Sequence, residues 1–159
     1  MATLTQAVSA FTTFPNSTNL KNLSDNKAVP MGLVDSSGRP NGKLYFNLKL
    51  GSSCRPGGTI ELYMMSCIDG SAQSSNWTDG ISPTASPSIT TGINNMELIH
   101  SIKADKSWST GRVVWVCNDL ASKVGKLPPY WTVCVHNNSG STLGTGHVTK
   151  YKLATYQSV

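Results

Sequence analysis

The stretch Leu127-Pro128-Pro129-Tyr130-Trp131-Thr132-Val133-Cys134-Val135-His136-Asn137-Asn138-Ser139-Gly140-Ser141-Thr142-Leu143-Gly144 holds, in one run, the signals of an antiparallel strand and its corner. Two prolines fix φ and restrict the residue before each, so the entry is extended rather than helical. The residues that follow are aromatic or β-branched and alternate, with Trp131, Val133 and Val135 on one face and Thr132, Cys134 and His136 on the other. A half-buried strand needs that period of two. Asn137-Asn138-Ser139-Gly140 then closes the strand, because Asn and Gly accept positive φ and Asn side chains imitate backbone in turns. The expectation is one strand of a β-sandwich with a tight polar corner.

Other segments repeat this grammar. Lys43–Leu50 places Leu44, Phe46, Leu48 and Leu50 on one uninterrupted apolar face, and Thr59–Ser66 does the same with Ile60, Leu62 and Met64. Each such side chain, once buried, contributes roughly 1.5–3 kcal/mol, so these two strands supply much of the core's driving force. Asn95–Lys103 reads as a strand with Met96, Leu98, His100 and Ile102 inward; Gly111–Cys117 and Gly146–Tyr156 read as two more. Asn118–Val124 is the one segment that reads as a helical turn. The expected fold is all-β: a single antiparallel sandwich of about eight strands, jelly-roll or Ig-like, with an extended N-terminal segment. Residues 1–30 are expected as an N-terminal arm or edge strand, of which 1–28 can be removed without unfolding the rest, and 31–159 as the sandwich domain.

The chain of 159 residues is only 13% charged and 38% hydrophobic, with about a quarter Ser and Thr and a net charge of +5. Such a composition suits strands and loops of secreted, cell-surface or virion proteins. The cations are scattered, six against five acids in residues 1–80 and seven against three in 81–159, so no basic arm of the nucleic-acid-binding kind is present. The opening Met1–Gln6 lacks a basic segment followed by an apolar run, which is the expectation for a chain made in a host cytoplasm, and no apolar run is long enough to span a membrane. Cys54, Cys67, Cys117 and Cys134 lack the paired spacing that zinc requires and read as buried thiols or as one or two disulfides. Four glycosylation sequons begin at Asn16, Asn22, Asn76 and Asn137, a number expected by chance in so Asn-, Ser- and Thr-rich a chain.

Catalytic chemistry has little to stand on. There is no nucleophile elbow, no phosphate-cradling glycine loop, and the acids fall mostly in turns. His136 and His147 flank the corner, but no carboxylate lies between them to complete a metal site, and His100 reads as a core or rim histidine. The expectation is a chain that is not an enzyme and takes no cofactor or metal. Binding or assembly remains, with Leu4, Val8, Phe11 and Phe14 of the N-terminal segment, and Trp77 and Trp108 of two loops, as the candidate interface.

Two segments in order resemble a known family. Gly58–Gly70, a strand followed by Asp69-Gly70 and then Asp79-Gly80, and Leu127–Gly140, with its Leu-Pro-Pro entry and Asn-Asn-Ser-Gly exit, are similar to recurring segments of small β-sandwich virion structural proteins of tailed bacteriophages, the head decoration or cement proteins. The resemblance implies a dimer or trimer on the outer head surface that staples neighbouring copies of the major capsid protein, without contact to nucleic acid or membrane. It implies no catalytic residue. Alternative expectations are another virion part, such as a jelly-roll coat subunit or a tail or head-fibre component, and a carbohydrate-binding module with Trp77 or Trp108 as its stacking platform.

Overall fold

In the computed structural model, which describes residues 4–36, 38–67, 69–71, 77, 81–83, 96–104 and 111–158, the alternating stretches are strands. In chain order they are β1 (Leu4–Val8), β2 (Thr12–Thr13), β3 (Lys27–Pro30), β4 (Val34–Asp35), β5 (Asn41–Lys49), β6 (Thr59–Cys67), β7 (Glu97–Lys103), β8 (Arg112–Cys117), β9 (Tyr130–Asn138) and β10 (Val148–Ser158). A 3-10 turn at Ser17–Leu20 and the single helical turn α1 (Ala121–Val124) are the only helical pieces among the described residues. Nothing described is a helix long and apolar enough to cross a membrane.

The strands form two antiparallel sheets packed face to face. Sheet A runs β1-β10-β5-β8, with β2 also on β10; sheet B runs β3-β9-β6-β7, with β4 also on β9. If β1 and β2 are counted as one interrupted strand, and β3 and β4 as another, the orders become 1-8-3-6 and 2-7-4-5. That winding is a jelly roll rather than the Ig arrangement, a choice that composition and strand count left open.

The core lies between the sheets. Leu44, Phe46 and Leu48 of β5 face Ile60, Leu62 and Met64 of β6, all buried as their parity requires. Trp131 of β9 sits at the centre, with Phe14 and Tyr151 edge-on to it at 6.3 and 6.1 Å between ring centroids. All four cysteines are buried, and none is in a disulfide.

Two strands depart from the expected pattern. β9 is buried on both faces from Trp131 to Val135, not half-buried, because a second apolar cluster of Ala28, Met65, Cys67, Trp77, Met96 and Cys134 covers the outer face of sheet B at that end. In β7 the pairing slips at Leu62/Tyr63, where His100 opposes Leu62 but Leu98 opposes Tyr63. One extra residue in a strand reverses its parity. Ile99 is therefore drawn into the core, Leu98 is turned out to 51% exposure, and Met96 joins the outer cluster.

The N-terminal segment belongs to both sheets. β1 pairs with the end of β10 from Leu4↔Ser158 to Val8↔Ala154, β2 pairs further along it, and β3 pairs with β9. Phe14, Leu20, Leu23 and Val29 are core residues. The first residues form the edge strand of sheet A.

Candidate interaction surface

The polar corner is built around Asn137. Its buried side-chain amide donates to the carbonyls of Leu23 (2.8 Å) and Ser141 (2.7 Å), while its Oδ1 accepts from the Ser139 hydroxyl (2.7 Å) and the Ser139 N–H (3.2 Å). Both amide hydrogens are engaged, so the Asn137 sequon has no nitrogen to offer a glycan in this fold. Gly140 follows at φ +82°, a conformation that favours glycine. Arg55 reaches across to Asn138 and lies 4.0 Å from Asp25, fastening the turn before β6 to the same corner. A Cβ on Gly58 would lie 2.6 Å from the Ser139 carbonyl oxygen, so backbone meets backbone there.

The histidines sit in three separate settings. His147 is neutral in both its roles: Nδ1 accepts from the Lys49 N–H at 3.1 Å, and Nε2 bonds to the Gly144 carbonyl at 3.0 Å. Burial holds its pKa below the usual imidazole value, and the nearby Arg112 charge acts in the same direction. His100 stacks on Trp115 at 4.8 Å, bridging the edge strands of the two sheets; burial, then Lys123, lowers its pKa too. It is a rim histidine.

His136 belongs to a polar network on the outer face of sheet B. Its Nδ1 lies 2.9 Å from Glu61 Oε2, which also accepts from the Tyr63 hydroxyl at 2.8 Å, while Thr59 donates to Oε1 at 3.1 Å. Burial opposes ionisation of Glu61, but the hydrogen bonds from His136, Tyr63 and Thr59 outweigh it and hold the carboxyl below its usual range. The Tyr63 hydroxyl is pushed up to about 12, by burial first and then by its bond to Glu61. Across the sheet the order is His136, Glu61, Ser101, because Glu61 pairs with His136 on one side and Ser101 on the other. A serine nucleophile needs the imidazole between itself and the acid. Here the acid stands between them, so this row is a structural ladder. Among the described residues no three His, Cys, Asp or Glu side chains converge on a point where a metal would sit.

The expected interface residues separate on inspection. Trp77 is 4% exposed, forms a bridge to Cys67, and donates its indole N–H to the Ser71 carbonyl at 2.9 Å. It caps sheet B from outside and is not available as a surface contact or a sugar platform. Phe14 is likewise inside the core. Leu4 lies on β1 at the edge of sheet A, and Trp108 lies outside the described residues. Val8 and Phe11, both 44% exposed, remain on the surface.

They have company that the parity of single strands did not disclose. The large hydrophobic side chains exposed among the described residues are Val8, Phe11, Leu98, Val114, Val116 and Val148. All but Leu98 lie on sheet A or in the link between β1 and β2. The register places Tyr45 beside Val116, and Asn47 between Val114 and Val148, on the outer face of that sheet. Phe11 packs edge-on to Tyr45 at 6.4 Å and lies beneath the Lys152 ammonium at 4.2 Å. Comparison with protein-family models, with curated proteins and with solved structures found no match.

Proposed function

We propose that this chain is a non-enzymatic virion structural protein, a decoration protein that seats on the outside of a phage head and joins neighbouring shell subunits as a dimer or trimer. The observation that carries the reading is the unequal treatment of the two outer faces. Sheet B is capped by Trp77 and its cluster at one end and carries the hydrogen-bonded His136–Glu61–Tyr63 ladder at the other, with Leu98 its one exposed large hydrophobic side chain among the described residues. Sheet A instead leaves Val114, Val116 and Val148 exposed around Tyr45. A monomer gains nothing from such a group of aliphatic side chains in water, and collected on one face they mark a docking surface. The jelly-roll winding, a fold used by viral coat and lectin domains, agrees with this reading by analogy.

A staple of this kind adds modest energy at each contact and gains through many contacts at once. Because it binds only the assembled shell, it stabilises that shell by mass action. The test is co-sedimentation of the purified chain with heads of the virus that encodes it, alongside light scattering of the free chain. Saturable binding to heads by a dimer or trimer is expected. A monomer that ignores the heads would sink the reading.

A further inference from the structure

The cross-strand register of sheet A puts like charges side by side. Lys43 of β5 lies directly opposite Lys152 of β10, and Lys49 of β5 directly opposite Arg112 of β8. Lys150 is the neighbour of Tyr45 between them. Like charges directly opposite one another on a sheet are destabilising. Among the described residues no acid relieves the Lys43/Lys152 pair: β1, β2, β5, β8 and β10 contain five Lys and Arg and no Asp or Glu, whereas β4, β6 and β7 of sheet B carry Asp35, Glu61 and Glu97. Lys43, Lys150 and Lys152 make no ion pair among the described residues. Arg112 donates to Asn47 Oδ1 (3.0 Å) and the Gly146 carbonyl (2.8 Å), neutral partners that orient the guanidinium without cancelling its charge.

The layout matters as much as the charge. Val114, Val116, Tyr45 and Val148 occupy the middle rows, with Lys43 and Lys152 at one end, Lys49 and Arg112 at the other, and Lys150 alongside. An apolar centre with a charged rim is the anatomy of a protein–protein interface. A single-stranded nucleic acid asks instead for a row of open aromatic faces. Here the Lys152 ammonium lies over the Phe11 ring, and the middle rows hold Val114, Val116 and Val148 with Tyr45 and Asn47, so no row of aromatic faces forms there.

We infer that the outer face of sheet A docks an acidic protein surface, whose carboxylates neutralise the Lys43/Lys152 pair together with Lys150 and Arg112 while an apolar patch covers Val114, Val116 and Val148. Resting on the decoration reading, this assigns the partner surface: the exterior of the shell presents Asp and Glu around an apolar spot. Binding therefore weakens as salt rises, since rim charges are screened within about 10 Å at 0.1 M ionic strength.

The test uses the full chain, heads of the virus that encodes it stripped of this protein, and two soluble probes, poly-L-glutamate and an oligodeoxythymidylate. The triple variant Lys43→Gln, Lys150→Gln, Lys152→Gln should bind heads roughly tenfold or more weakly than wild type and lose most of the salt dependence. Its circular dichroism should be unchanged, and the single variant Lys150→Glu serves if the triple variant is misfolded. Heads that bind wild type and variant alike overturn the docking face but leave the decoration reading standing. Heads that bind neither overturn the decoration reading, and the probes then judge the face by itself. Lysine-dependent binding of poly-L-glutamate supports it; preference for the oligonucleotide, or binding of neither probe, overturns it.

Discussion

Asn137 ties its own corner to a distant piece of chain with one side chain. Its neighbours Asn138, Ser139 and Gly140 announce a turn, but its partner Leu23 lies 114 residues earlier, beyond the reach of any local pattern. Asn137→Ala leaves those buried carbonyls without their donor and should cost about 1–3 kcal/mol. Asn137→Asp, which also buries a charge, should cost more; urea denaturation measures both. Acid should destabilise the fold in two steps. Below the ordinary imidazole value of 6.5 the unfolded chain takes up a proton that folded His147 resists, so stability falls as the pH drops from there through the folded value. Glu61 acts lower: its contribution is complete above the ordinary carboxyl value of 4.5 and is lost as the pH falls through its depressed folded value. His147→Gln should flatten the upper step in denaturation midpoints taken between about pH 7 and 5, leaving the part that His100 contributes.

At the scale of elements, the strands with clean alternation were legible and the places where a second layer or an extra residue intervenes were not. β5 and β6 follow their parity throughout the core face. The outer face of β9 looked solvated because the residues that cover it, Trp77 and Met96 among them, come from a long connection whose path local pattern does not reveal. The slip in β7 was equally hidden, since Ile99 and Leu98 are both apolar and either would suit the core. The N-terminal segment was ambiguous because its turns mask the spacing of Phe14, Leu20 and Leu23. Deleting residues 1–30 therefore removes β1, β2 and β3 together with core side chains, and circular dichroism should show global unfolding, not a trimmed sandwich. Trp131→Ala should cost about 3–5 kcal/mol, as expected for emptying a site packed by Phe14 and Tyr151. A loss below about 1 kcal/mol in the same denaturation experiment would contradict its central position.

The whole molecule is asymmetric in a way no single segment displays. The scatter of cations along the chain suggests a mildly basic surface with no organised patch. Folding brings Lys43, Lys49, Arg112, Lys150 and Lys152 onto one sheet, while the described acids gather in sheet B and in turns. The exposed aliphatic residues of β8 and β10 fall among those cations for the same reason: pairing of strands from opposite ends of the chain. Composition hid this, because a count cannot see register. The fold class was thus readable from the sequence, and the docking face was not. The most direct measurement is an electron cryomicroscopy difference map between heads carrying this protein and heads lacking it. Added density outside the shell, fitted by the two-sheet sandwich with sheet A turned toward the capsid, is expected. No added density, density continuous with the shell wall, or sheet A turned to solvent would contradict it.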